Sequence, residues 1–141
     1  MESRHPSEFL VLRGRLVDGL GEGQRFTALD WVRRRFHELL ATDPHPGTVN
    51  LRVEASDDRA ALARLRLAPG IAIPPEPGFC AATAYRAAIQ HPGGGRAVPA
   101  AIVVPHVPSY PSDQVELVAT VHVRTALGLN SGDLLTITVS L

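Results

Sequence analysis

The apolar residues of this chain of 141 residues come in short runs cut by prolines and glycines, and that punctuation limits the folds open to it. Runs at residues 62–67, 71–73, 79–89 and 98–104 are separated by Pro69-Gly70, Pro74-Pro75, Pro77-Gly78 and the stretch from Pro92 to Gly95. Proline removes a backbone donor and glycine loosens the chain, so neither suits the interior of a long helix or a central strand. Short strands with turn signals between them point to a closed barrel rather than to layered βαβ units.

Both ends fit the same scheme. Residues 9–17 are rich in Leu, Val and Phe with Arg13 and Arg15 interleaved, the period-two pattern of a half-buried strand that Asp18 and the following glycines end. Thr27 and Asp30 have capping-box-like spacing, and Trp31, Val32, Phe36, Leu39 and Leu40 recur at helical intervals, which predicts one amphipathic helix over 28–40. Arg33, Arg34 and Arg35 spread around a helical turn instead of forming one patch, so they read as a solvated face. Asp43-Pro44-His45-Pro46-Gly47 must be a loop, and residues 48–53 alternate as a strand. Further on, 115–119 reads as a strand, 123–129 as a short helix, and 134–139 as a strand after the Gly132-Asp133 turn. The expected fold is mainly β with α, in a single domain over residues 1–141.

Composition excludes several kinds of chemistry. Fourteen basic and 14 acidic residues give a net charge of zero, so no long-range field recruits nucleic acid or an anionic membrane, and a small ligand is the expected partner. Every basic residue is arginine. Without lysine there is no Schiff-base chemistry and no P-loop mechanism, so any phosphate must be handled by backbone amides, arginine or a metal. Cys80 is alone, which rules out an internal disulfide or a cysteine-rich zinc site and reads as a buried small apolar residue in a reducing compartment. His5, His37, His45, His91, His106 and His122 show no HxxxH or HExxH spacing, which leaves a zinc hydrolase without support. No apolar h-region opens the chain and no run reaches the roughly 18 apolar residues of a membrane span, so a cytoplasmic, soluble protein is expected.

Two constellations can carry chemistry. Gly19-Leu20-Gly21-Glu22-Gly23-Gln24 lies between a strand and a helix, where glycines let the backbone approach a ligand and helix N–H groups face an anion. Its spacing is that of neither the dinucleotide nor the P-loop motif, and as a bare pattern it is equally a turn. In Pro46-Gly47-Thr48-Val49-Asn50-Leu51, residues two apart on a strand face the same way. The Thr48 hydroxyl and the Asn50 amide can then converge while Val49 and Leu51 enter the core. Two neutral oxygens suit Mg²⁺, which keeps waters and borrows phosphate oxygens; taken without context, the pair reads first as polar cover on an exposed strand face.

Together these segments resemble the CTP-dependent riboflavin kinases of archaeal type. That family carries Gly-Leu-Gly-Glu-Gly followed, one helix later, by Pro-Gly-Thr-Leu-Asn, with Val49 the single change in the second motif. Gly78-Phe79, Val115-Glu116-Leu117, His122-Val123-Arg124 and Leu127-Gly128-Leu129-Asn130-Ser131-Gly132-Asp133 match further family elements in family order.

The resemblance implies a compact six-stranded cradle-loop barrel with one amphipathic and one short helix, riboflavin as acceptor giving FMN, CTP as donor giving CDP, and Mg²⁺ as cofactor. By position, Gly19, Leu20, Gly21, Glu22, Gly23 and Gln24 would hold the nucleotide, with Val121, His122, Val123 and Arg124 completing that site. Thr48 and Asn50 would be the metal ligands, and Asn50 and Glu116 the catalytic positions, Glu116 as flavin contact and orienting group or base. The family threonine eight residues before that glutamate is Pro108 here, so Pro108 and Ser109 take the flavin-contacting positions. His45 stands where the family often has tyrosine.

Two other readings stay open. Pro108 would permit a kinase acting on a different small alcohol, and the Gly132-Asp133 turn with 134–139 also resembles the closing strand of barrels that bind DNA or serve as scaffolds. Neutral charge and the absence of lysine weigh against the latter. The oligomeric state is not set by the sequence, with which a monomer is compatible.

Overall fold

The computed structural model describes residues 8–19 and 22–141, without the side chain of Glu22. Strand β1 (Phe9–Val17) is followed by helices α1 (Glu22–Thr27) and α2 (Asp30–Leu40), strand β2 (Val49–Arg52) and helix α3 (Ser56–Leu67). Then come β3 (Ile71–Ile73), β4 (Ala82–His91), β5 (Gly94–Pro105), β6 (Gln114–Ala119), helix α4 (Val123–Leu127) and β7 (Leu134–Ser140). All strand pairings are antiparallel, in the order β3-β4-β5-β6-β2-β1-β7. A further pairing of β4 with β7, from Ala87↔Val139 to Gln90↔Thr136, closes six of them into a barrel. Closure leaves those six strands without a free edge, and β3 lies outside the ring against the start of β4.

The alternation in β1 sends Leu10, Leu12 and Leu16 inward, where they meet Leu51, Ile89, Leu117, Leu135 and Ile137 in one buried cluster. Each such side chain contributes about 1.5–3 kcal/mol on burial, so the barrel interior is the main source of stability. A second cluster packs Val32, Phe36 and Leu39 of α2 against Ile73, Ala84, Ala101, Val103 and Val118 on the outer face of the sheet. Among the described residues no helix is long and apolar enough to cross a membrane.

Three local expectations change. Cys80 is exposed, not buried: it lies in the turn-rich stretch between β3 and β4, where no alternation turns it inward. The run 62–67 belongs to helix α3, not to a strand. Its buried positions Leu62 and Leu65 are three apart, alanines surround them, and Asp57 and Asp58 occupy the first turn, where the helix dipole favours acidic groups. Thr27 does not cap the amphipathic helix either: it ends α1, and α2 starts after Leu29, which makes no side-chain capping bond. Buried Thr27 instead donates its hydroxyl to the Gly23 carbonyl at 2.9 Å and accepts the Gly47 N–H at 2.8 Å. It thereby ties the glycine segment to the loop that enters β2.

Candidate functional site

Thr48, Asn50 and Arg52 lie on one side of the chain at β2, while Leu51 and Val53 are buried in the core. Strand pairing places Asn50 opposite Val17 on β1 and opposite Glu116 on β6, so these three side chains share one row across the sheet. Over that row lies a cleft of about 990 Å³, walled by residues 45–48, Gly19, Gly23 and Gln24, the 121–124 segment, and Pro111, Asp113 and Gln114. Small-molecule sites usually occupy roughly 300–1,000 Å³, so this cleft has room for more than one ligand of modest size.

The glycines fit by close approach. A Cβ on Gly19 would collide with the Asn50 amide, and one on Gly23 would collide with the Thr48 hydroxyl and come within 2.7 Å of the Thr48 backbone nitrogen. Neither glycine has a left-handed φ, unlike Gly47 at 99° beside Thr48. What positions 19 and 23 require is absence of a side chain, so that two backbone segments can pack directly on Thr48 and Asn50.

Thr48 and Asn50 remain available to a ligand. Among the described residues the Asn50 side chain donates only long bonds, at 3.4 Å to the Thr48 hydroxyl and 3.5 Å to its carbonyl, and turning the amide over presents its oxygen to the same point. Two neutral oxygens with phosphates and waters completing the shell form a donor set that fits Mg²⁺. Among the described residues no group of three or more His, Cys, Asp or Glu could hold a metal.

At one end of the cleft Glu116 Oε1 accepts from the Tyr110 hydroxyl and from the Gln114 amide, each at 3.0 Å. Burial, and then the Glu116 carboxylate beside it, hold the Tyr110 phenol well above the usual tyrosine value, so it stays a neutral donor. At the other end His122 caps α4, its Nδ1 lying 2.6 Å from the Thr125 hydroxyl and accepting the Thr125 N–H, and its ring lies 5.2 Å from that of His45 at 47°. Arg124 donates to Asp18 and Ser131, and Ser131 donates to Asp18, all at 2.8 Å. The Ser131 hydroxyl first, and then Arg124, hold the Asp18 carboxyl below its ordinary range.

The structure brings Gly19, Gly23, Gln24, Thr48, Asn50, Glu116, Val121, His122, Val123 and Arg124 to this one cleft. Leu20 and Gly21 lie outside the described residues, as does the Glu22 side chain, whose backbone opens α1. Pro108 and Ser109 are exposed and do not line the cleft; the next residue, Tyr110, reaches Glu116. Sequence reasoning missed Tyr110, Gln114, Asp18 and Arg52. Two of them carried a signal: Arg52 continues the Thr48 and Asn50 alternation by one more step, and Tyr110 stands at the tyrosine of the family's Thr-x-Tyr pattern that begins at Pro108.

The family model CTP-dep_RFKase, described as Domain of unknown function DUF120, matches residues 16–139. The riboflavin kinase of Methanocella arvoryzae is 32% identical over 136 residues, covering 92% of this chain and 56% of that protein. For the riboflavin kinase of Methanosarcina mazei the values are 37% over 132 residues, 88% and 54%. For that of Saccharolobus solfataricus they are 32% over 137 residues, 92% and 74%. The chain spans about half the length of the first two and about three quarters of the third.

Proposed function

The chain belongs to the CTP-dependent riboflavin kinase family, and from that premise we propose that it transfers the terminal phosphate of CTP to the 5′-hydroxyl of riboflavin, giving FMN and CDP. The observation that carries this reading is the convergence of two glycine backbones on Thr48 and Asn50, in strand register with Glu116.

Phosphoryl transfer asks a protein for alignment and for charge neutralisation on the phosphoryl oxygens, with little covalent work. The cleft divides that work along its length. The end bounded by Gly19, Gly23, Gln24 and residues 121–124 takes the nucleotide, and the end bounded by Glu116, Gln114 and Pro111 takes riboflavin. Thr48 and Asn50, between the two, would hold Mg²⁺, which supplies charge neutralisation at the phosphates when bound. Arg124 and Arg52 both line the cleft and offer guanidinium donors to phosphate oxygens in a chain without lysine. Tyr110 and Gln114 fix Glu116 at one carboxylate oxygen, which leaves the other to orient the acceptor hydroxyl and take its proton as it attacks.

One observation favours a second reading of the acceptor alone. With Pro108 and Ser109 off the cleft lining, the acceptor end rests on Pro111, Gln114 and Glu116, and a different small alcohol fits the same donor machinery.

Incubation of the folded protein with Mg²⁺, riboflavin and each of CTP, ATP, GTP and UTP, followed by chromatography for FMN, tests both halves. FMN is expected with CTP far above the others. No FMN from any triphosphate would sink the kinase reading, and equal turnover with ATP would sink the donor assignment.

A further inference from the structure

Helix α3 contributes no residue to the lining of the cleft, yet one of its side chains reaches the wall of the acceptor end. Arg66 donates from one terminal nitrogen to the Pro111 carbonyl at 2.9 Å and to the Gln114 carbonyl at 3.0 Å, and its guanidinium lies 5.5 Å from the centre of the Tyr110 ring. These are the two ends of the turn that enters β6, together with the aromatic ring that precedes it. Tyr110 and Gln114 are in turn the donors that hold Glu116 Oε1. Arg66 is itself firmly placed, because the adjacent Leu65 and nearby Leu62 are buried in the barrel interior.

Two further features single out this arginine. Among the described residues its Nε is buried with no hydrogen-bond partner, a state that an arginine serving only as a surface charge would leave by turning into water. The turn is also pinned from the other side, where the Val53 N–H at the end of β2 donates to the Asp113 carbonyl at 2.7 Å. Residues 111–114 are thus clamped between β2, which carries Asn50, and α3, which carries Arg66. A planar fork over an aromatic ring fits this task in a way that a lysine ammonium would not.

We propose that Arg66 is a positioning residue for the acceptor end of the cleft, acting through Tyr110 and the 111–114 turn to hold Glu116 against riboflavin. The proposal rests on the kinase reading above. It predicts a selective defect: loosening the clamp disturbs riboflavin and leaves the nucleotide end, built from other segments, unchanged.

The test compares wild type, Arg66→Ala and Arg66→Lys in FMN formation, with KM and kcat taken separately for riboflavin and CTP. It adds thermal midpoints and backbone hydrogen exchange over 107–116. Arg66→Ala should raise the riboflavin KM on the order of tenfold, the scale of a lost charge-assisted hydrogen bond. The CTP KM should stay within about twofold, and exchange should quicken over 107–116 but not around 45–50. Arg66→Lys, which keeps the charge and loses the fork, should recover only part of the loss. Equal effects on both substrates, or unchanged exchange over 107–116, would overturn the proposal and leave Arg66 a general stability contact. FMN from wild type with an unaltered riboflavin KM in Arg66→Ala overturns this inference alone, whereas no FMN from wild type overturns the kinase reading and this inference with it.

Discussion

Gly23→Ala separates close approach from ordinary helix chemistry, because the two predict opposite signs. Gly23 is in α1 without a left-handed φ, and in an open helix alanine is better than glycine by up to about 1 kcal/mol. Here the new Cβ would meet the Thr48 hydroxyl and come within 2.7 Å of the Thr48 backbone nitrogen, so strand entry and helix must part. Inserting a methyl where nothing can give costs roughly 1–3 kcal/mol, which outweighs the helix gain and leaves a net loss near 1 kcal/mol. At this chain length that is a fall in Tm of about 3 °C. The functional effect should be larger than the thermal one, because the displaced group is a candidate metal ligand: kcat/KM is expected to fall on the order of a hundredfold, or nearly 3 kcal/mol of transition-state stabilisation. Gly93→Ala is the control, since a Cβ there meets nothing within 4 Å and its φ is not left-handed. Calorimetry and FMN formation on both variants give the answer. A Gly23→Ala protein that melts higher than wild type and keeps its rate would show that the glycine segment does not press on Thr48.

Three other outcomes follow from the same contacts. The chain has two tyrosines, and burial raises both Tyr85 and Tyr110, so absorbance at 295 nm should show little phenolate at pH 10, and stability should fall as pH rises beyond 10 because the unfolded tyrosines ionise first; a titration midpoint at 10 would contradict this. Asp18 lies below its ordinary value of 3.8, so the stability it adds is present above that pH and is lost as pH falls through the lowered value. Asp18→Asn should therefore lower the thermal midpoint at pH 7, with the deficit shrinking progressively as pH falls below 3.8, and a deficit that does not change with pH would argue against the ion pair. Arg52→Ala, at an exposed position on the Asn50 side of β2, should leave the thermal midpoint unchanged and reduce kcat roughly tenfold, as loss of one charge-assisted contact to phosphate would; an unaltered kcat would remove Arg52 from the reaction.

How much of this was legible in the amino-acid order depended on the distance over which each feature is decided. Strand β1 and the short β3 have the expected bounds, because period-two alternation and flanking proline or glycine are local. Residues 62–67 misled, because six residues are too few to separate a period of 2 from one of 3.6; the alanines and acidic first turn of α3 were the better signal. Thr27 resembled a cap in spacing, but its hydroxyl is engaged by Gly47, twenty residues away. At the site, the glycine segment and the Thr48 and Asn50 pair were visible as motifs, whereas the reason for the glycines was not. That reason is the packing of two segments against each other. The Arg66 contact to Pro111 spans 45 residues and the Ser131 contact to Asp18 spans 113, and no periodicity or spacing encodes such pairings.

The most direct test of the central claim is the rate of FMN formation from riboflavin and CTP with Mg²⁺, measured side by side for wild type and Asn50→Ala with circular dichroism on both. Asn50 lies between the glycine backbone, Thr48 and Glu116, so its loss should nearly abolish turnover while the spectrum and midpoint remain those of the wild type. FMN formation at the wild-type rate by well-folded Asn50→Ala, or none from the wild type itself, would contradict the account.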